Sequence, residues 1–209
     1  MEQRSGSQIG ERCVASSEVL ILPQANRADA LRNRDLLLAV AKEAVAENGT
    51  DTSLREIARR AGVGIGTLYR HFPNREALLE ALLESSFVTL QARAEELLTS
   101  GNPGEAFLAW LREMTAGAAT YQGLPESIRD ALADDESSLH ATCAEMKTAG
   151  GLLLERAQKD GSVRLDVSLT EVIDLALGLA WAAEKASEAS DLAARLLSTA
   201  AYGPAGRSR

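Results

Sequence analysis

Residues 53–72 read SLREIARRAGVGIGTLYRHF, and they limit the fold more than any other stretch of the chain. Ser53 followed by Glu56 three residues on is an S-x-x-E pattern, which predicts a capping box at a helix start. Ile57, Ala58 and Ala61 then recur at helical spacing. Ala58 is small enough to let a second helix cross closely. Gly62 falls where the chain must turn, and a positive φ there is cheap only for glycine. Val63 and Leu68 continue the apolar set, and Phe72 closes it. Two short helices packed across a glycine corner make a helix-turn-helix. The second helix of that unit normally enters the DNA major groove.

The polar residues of the unit agree. Thr67, Tyr69, Arg70 and His71 crowd the second helix with donors. Leu68 and Phe72 fill the apolar positions four apart, which turns Tyr69 toward a different face and predicts backbone contact. His71 either donates to phosphate or finishes the helix. Gly64 and Gly66, flanking Ile65, keep the helix start thin enough for backbone to approach a phosphate or base edge. The positive pole of the helix dipole lies at the same end. Thr52 and Ser53 at the first helix start, and Arg75 just beyond the second, join the expected DNA-contacting set. Arg59 and Arg60 are read as solvated or paired with an acid. Arg27, Arg32 and Arg34 precede the unit; they reach phosphate or an adjacent minor groove, or are solvated at a helix start. Arg32 is kept in the contact set.

The segment from about Arg32 to Leu83 resembles the DNA-binding domain of the tetracycline-repressor (TetR) family of bacterial transcriptional regulators. The matching pieces are LLLAVAKEAVAENG, TSLREIARRAGVGIGTLYRHF and PNREALLEALL, roughly a quarter of the chain. TYQGLPESIRDAL resembles one subgroup of the family's C-terminal domains. Gly64 departs from the pattern, since many members carry serine there, and a hydroxyl contact to phosphate is thereby lost. In similar proteins Arg55 faces the DNA backbone. The resemblance implies an all-α fold: a three-helix DNA-binding domain, then a helical domain that binds an effector and dimerises.

The net charge of −8 looks wrong for a DNA binder until it is divided. Residues 27–75 hold nine Lys and Arg against six Asp and Glu, a local charge of +3, while residues 76–209 hold 11 against 21. The acidic majority would repel DNA and leave the basic segment as the favourable docking surface. The 209 residues contain no run of 18 apolar residues, so no membrane span is expected. No basic start followed by an apolar block marks a signal peptide, which points to the cytoplasm. Cys13 and Cys143 are isolated and read as free thiols in a reducing compartment.

Periodicity predicts nine helices and no sheet. Residues 1–26 read as a disordered tail. The DNA-binding domain is expected over 27–76, the effector and dimerisation domain over 77–202, and a loose tail over 203–209. Helix one is expected from about Asn33 to Asn48, ended by Asn48-Gly49. Helix four, about 74–99 with Asn74 as cap, connects the domains. Gly101-Asn102-Pro103-Gly104 breaks the chain before helix five, which runs to about Tyr121. Helices follow at about 125–133, 137–159, 168–186 and 189–201.

Phe87, Trp110, Met114, Tyr121, Met146, Leu153 and Trp181 are candidates for an effector cavity, because adaptable Met and aromatic side chains suit small-molecule pockets. Taken singly, each reads as ordinary helical core; the case for a cavity concerns the group. Helix eight is apolar nearly all round, more than one core needs. Val172, Leu175, Ala176, Leu179 and Ala182, with Leu192 and Leu196 of helix nine, are the expected homodimer interface, and a four-helix interface is what the resemblance implies. Asp134, Asp135 and Glu136 lack the alternation of a calcium loop and read as helix-start acids. His71 and His140 lie on different elements, so no metal site is expected. Neither a cofactor loop nor a nucleophile–base pair stands out. The reading is a non-enzymatic, dimeric repressor on double-stranded operator DNA, released by a small-molecule effector. The alternatives are a regulator without effector and a helical enzyme carrying a DNA-binding module.

Overall fold

The computed structural model describes residues 24–121 and 123–183, which form eight α-helices and no strand. The expected helix nine, with Leu192 and Leu196, and the tails at 1–23 and 203–209 lie outside the described residues. Helix α1 spans Gln24–Asn48, nine residues earlier at its start than the periodicity predicts. Residues 24–34 carry no apolar stripe, but they are rich in Ala and Arg, good helix formers with no interrupting Gly or Pro. Residues 24–26 are therefore helical rather than tail. Leu37, Leu38, Ala41, Ala44 and Val45 form the buried face of α1. Gly49 ends it with φ +78°, its amide donating to the Val45 carbonyl at 2.8 Å.

Helix α2 (Leu54–Arg60) ends in a Schellman turn. The Val63 amide reaches the Ala58 carbonyl at 3.0 Å, the Gly62 amide reaches that of Arg59 at 3.2 Å, and Gly62 has φ +68°. The turn re-aims the chain into α3 (Ile65–His71). Asn74 caps α4 (Arg75–Leu97) by accepting from the Ala77 amide at 2.7 Å. Asn102 caps α5 (Pro103–Thr120) in the same way through Glu105, with Pro103 in the first turn. Helices α6 (Glu126–Ala133), α7 (Ser138–Lys159) and α8 (Leu169–Ala183) complete the described chain.

Two apolar clusters organise these helices. The first holds the inner faces of α1 to α3 with Leu78, Leu79, Leu82 and Leu83 of α4. It also takes in Tyr121, Ile128 and Leu139, so the bend after α5, helix α6 and the start of α7 belong to the core of the helix-turn-helix unit. The second joins α5, α7 and α8 with Ala94 of α4. Phe87, half-buried midway along α4, packs against both. No described helix is long and apolar enough to cross a membrane.

The second cluster is built around Trp110. Its indole is fully buried, donates to the Leu90 carbonyl at 2.9 Å and stacks on Phe107 at a centroid distance of 6.5 Å. The ring lies flat on α7 only because residue 150 is glycine: a Cβ there would sit 2.4 Å from Trp110 Cη2. At Gly151, one residue on, an added Cβ meets nothing within 4 Å. Gly150→Ala should therefore lower stability by about 1–3 kcal/mol through overpacking, whereas Gly151→Ala should hold or raise it through helix propensity. Thermal melts of the two variants separate these effects. Equal melting temperatures would contradict the packing described.

Candidate nucleic-acid interface

Helix α3 buries Leu68 completely and exposes Ile65, Gly66, Tyr69 and Arg70. Leu68 and Phe72 enter the cluster formed by α1 and α4, which fixes the rotation of α3 about its axis. Tyr69 is 48% exposed and Ile65 36%. Gly64, Gly66 and Arg70 are exposed, while Thr67 and His71 are half-buried. The His71 ring lies 6.3 Å from that of Phe72. Gly64 and Gly66 have no left-handed φ, and an added Cβ at either meets nothing within 4 Å. The fold itself does not require glycine at these positions. Their bareness has consequences only for something approaching from outside.

The arginines of the unit sort into distinct groups. Arg59 donates to Glu56 through Nε and Nη2, both at 2.8 Å. Arg60 donates to Glu56 at 2.9 Å and to Glu47 of α1 at 2.6 Å, tying α2 to α1. The two guanidiniums hold the Glu56 carboxyl down at about 2. Glu56 is therefore occupied, and the capping box expected from S-x-x-E does not form: Ser53 is the N-cap by backbone geometry without a side-chain capping bond. Arg32 pairs with Asp29, and the Arg34 guanidinium lies 5.6 Å above the Phe72 ring. Arg55 and Arg70 are exposed and make no ion pair among the described residues.

Two residues expected to contact DNA are engaged inside the fold instead. Thr52 is buried, and its hydroxyl sits 3.0 Å from the Ala44 carbonyl and 2.8 Å from that of Gly49, closing the end of α1. Arg75 donates to the Thr50 carbonyl at 2.9 Å and lies 3.7 Å from Asp51, so it braces the α1–α2 turn against the start of α4. The Arg75 acceptor lies 25 residues away, beyond a local reading, and Thr52 reaches back three residues to Gly49 and eight to Ala44. The outward surface left by these assignments is Ser53, Arg55, Gly64–Gly66, Tyr69 and Arg70, with Thr67 and His71 at its edge.

The effector candidates do not form one group. Trp110, Met114, Met146 and Leu153 are buried together in the second cluster. Trp110 is buried there with its N–H bonded to the Leu90 carbonyl. Tyr121 belongs to the first cluster, its hydroxyl 3.0 Å from Ser86 Oγ, and burial pushes its phenol pKa up. The side chain of Trp181 lies outside the described ones. On α8, Val172 and Ala176 are buried in the subunit's own core, which corrects their assignment to an interface. The outward residues are Leu175, 41% exposed, and Leu177, 42% exposed. The side chains of Leu179 and Ala182 are outside the described set. Around Asp134, the carboxylate accepts from the Glu136 amide at 3.1 Å, a local turn bond. The Cys143 thiol is half-buried, and burial pushes its pKa up.

This sorting predicts different salt behaviour for two arginines on neighbouring helices. Arg70→Ala removes an unpaired cation beside Tyr69, so the slope of log K against log salt for DNA binding should shrink by about one. Arg59→Ala removes a cation already neutralised by Glu56, so the slope should hardly change. Equal effects of the two substitutions would contradict the sorting.

A family model described as bacterial regulatory proteins, tetR family, matches residues 37–82. A second, described as the C-terminal domain of SbtR-like transcriptional regulators, matches residues 102–203. The TetR transcriptional regulator SCO0520 from Streptomyces coelicolor has the same fold, with a TM-score of 0.64 and 31% identity, covering 81% of this chain and 99% of that one. A TetR regulatory protein from Mycobacterium vanbaalenii matches at 33% identity and a TM-score of 0.58, covering 85% and 99%. The transcriptional repressor KstR of Mycolicibacterium smegmatis is 28% identical over 191 residues, 87% of this chain and 92% of its own. With two family models on its two halves and solved relatives above 30% identity matched over nearly their whole length, the chain belongs to the TetR family of bacterial transcriptional regulators.

Proposed function

We propose that this protein is a homodimeric repressor that lifts off its operator when a small molecule binds its C-terminal domain. The protein is a DNA-binding transcriptional regulator by family, and its relatives include named repressors. One observation supports the site assignment above all. On the outer face of the helix-turn-helix, Tyr69, Arg55 and Arg70 are exposed, the two arginines without an ion pair, while the neighbouring Arg59 and Arg60 are neutralised by acids. That leaves a small, specific set of donors for phosphate and base edges. Gly64 and Gly66 let backbone follow them in.

Homodimerisation is supported by Leu175 and Leu177, exposed leucines that flank the packed face of α8 on its two sides. Two reading heads then meet successive major grooves about 34–36 Å apart, or slightly more. The effector reading rests on the second cluster, an apolar core separate from the first and linked to it through α4. A ligand there acts only by binding one head arrangement better than the other. We read the protein as non-enzymatic, without cofactor or metal, and as cytoplasmic.

Selection of bound sequences from random double-stranded DNA by the purified protein tests this reading. Enrichment of two inverted half-sites is expected. Enrichment of a single half-site would overturn the dimer, and no enrichment would overturn sequence-specific binding.

A further inference from the structure

We propose that Tyr121 and Gly123, at the bend after α5, latch the DNA-binding unit to the rest of the subunit and fix the direction in which its reading helix points. This inference rests on the operator-binding reading above. The covalent link between α3 and the C-terminal helices is α4 alone, and one helix leaves the unit able to pivot about its own axis. Ile128 and Leu139 pack into the same core, and two polar contacts distant in sequence add direction to that hold.

In the first, Thr50 Oγ1 donates to the Gly123 carbonyl at 3.3 Å, across 73 residues. Gly123 presents that carbonyl from a left-handed conformation, φ +73°, which favours glycine. Thr50 sits in a stiff turn. Its own carbonyl accepts from Arg75 at 2.9 Å, and Thr52 two residues on is fastened to Ala44 and Gly49. A displacement at Gly123 therefore reaches the end of α1, the start of α2 and the start of α4 together.

In the second, the Tyr121 ring is buried in the first cluster and its hydroxyl lies 3.0 Å from Ser86 Oγ on α4. Ser86 gives its one proton to the Leu82 carbonyl at 2.9 Å, so Tyr121 is the donor to Ser86. The same short segment thus grips α4 on one side and the α1–α2 turn on the other. Helix α5, which carries Phe107, Trp110 and Met114 of the second cluster, ends at this segment. A rearrangement of that cluster has a direct mechanical route to the reading head through the latch.

The test is the tolerance of half-site spacing, a property that stability alone does not set. The wild-type protein is first shown to bind its selected operator; failure at that step would count against the operator-binding reading, not against the latch. Affinity is then measured by fluorescence anisotropy for operators with one or two base pairs inserted between the half-sites. Wild type should lose at least about tenfold on insertion, within the range of typical coupling between sites. Thr50→Val with Tyr121→Phe should bind the parent operator more weakly and lose most of that discrimination. Thr50→Ser, which keeps the hydroxyl, should behave as wild type. If the double variant does not fold, Thr50→Val alone, nearly identical in shape to Thr, is read in the same way. Retention of wild-type spacing discrimination by the folded variant would overturn the proposal.

Discussion

A helix of seven residues does not hold itself together in water. Helix α3 exists because Leu68 and Phe72 are buried against α1 and α4, and everything the reading head presents follows from that burial. With those two side chains inward, Tyr69 and Arg70 point out and the bare backbone of Gly64–Gly66 lies at the leading end. The Schellman turn at Gly62 sets the angle at which the chain enters α3. The contact surface is therefore a product of the core.

Charge is organised by the same logic. The basic excess of residues 27–75 is not spread evenly over the unit. Glu47 and Glu56 take up Arg59 and Arg60 and join α2 to α1, and Arg75 stiffens the α1–α2 turn. Exposed ion pairs of this kind contribute little stability singly. Their larger consequence is to leave Arg55 and Arg70 as the unpaired cations of the face. Helix α4 then extends the rigid unit into the second cluster, so the two cores share one beam.

What could be read from the sequence was what is decided locally. Gly62, Asn74 and the Gly49 stop are each fixed by chain neighbours within five residues, and all three stand where their residue types indicate. The family's motif lies in the same short-range patterns. The start of α1 was missed because an exposed helical turn of Ala and Arg carries no periodic signature. The capping box failed because Glu56 had three possible partners, and two cationic side chains outcompeted one backbone amide. Arg75 reads as a DNA contact because its carbonyl partner lies 25 residues away, and Thr52 because its burial depends on the packing of α1. On α8, an apolar sequence on every face could not say that Val172 and Ala176 turn inward and Leu175 outward.

In the proposed complex the outward face of α3 lies in the major groove, twice, on one side of the duplex. Hydroxyl-radical and methylation-protection footprinting of the full-length protein on its selected operator tests this most directly. The account predicts two protected patches on the same helical face, their centres about 34–36 Å apart or slightly more, with guanine N7 protected in each major groove. Protection confined to the minor groove, or spread evenly along the duplex, would contradict it.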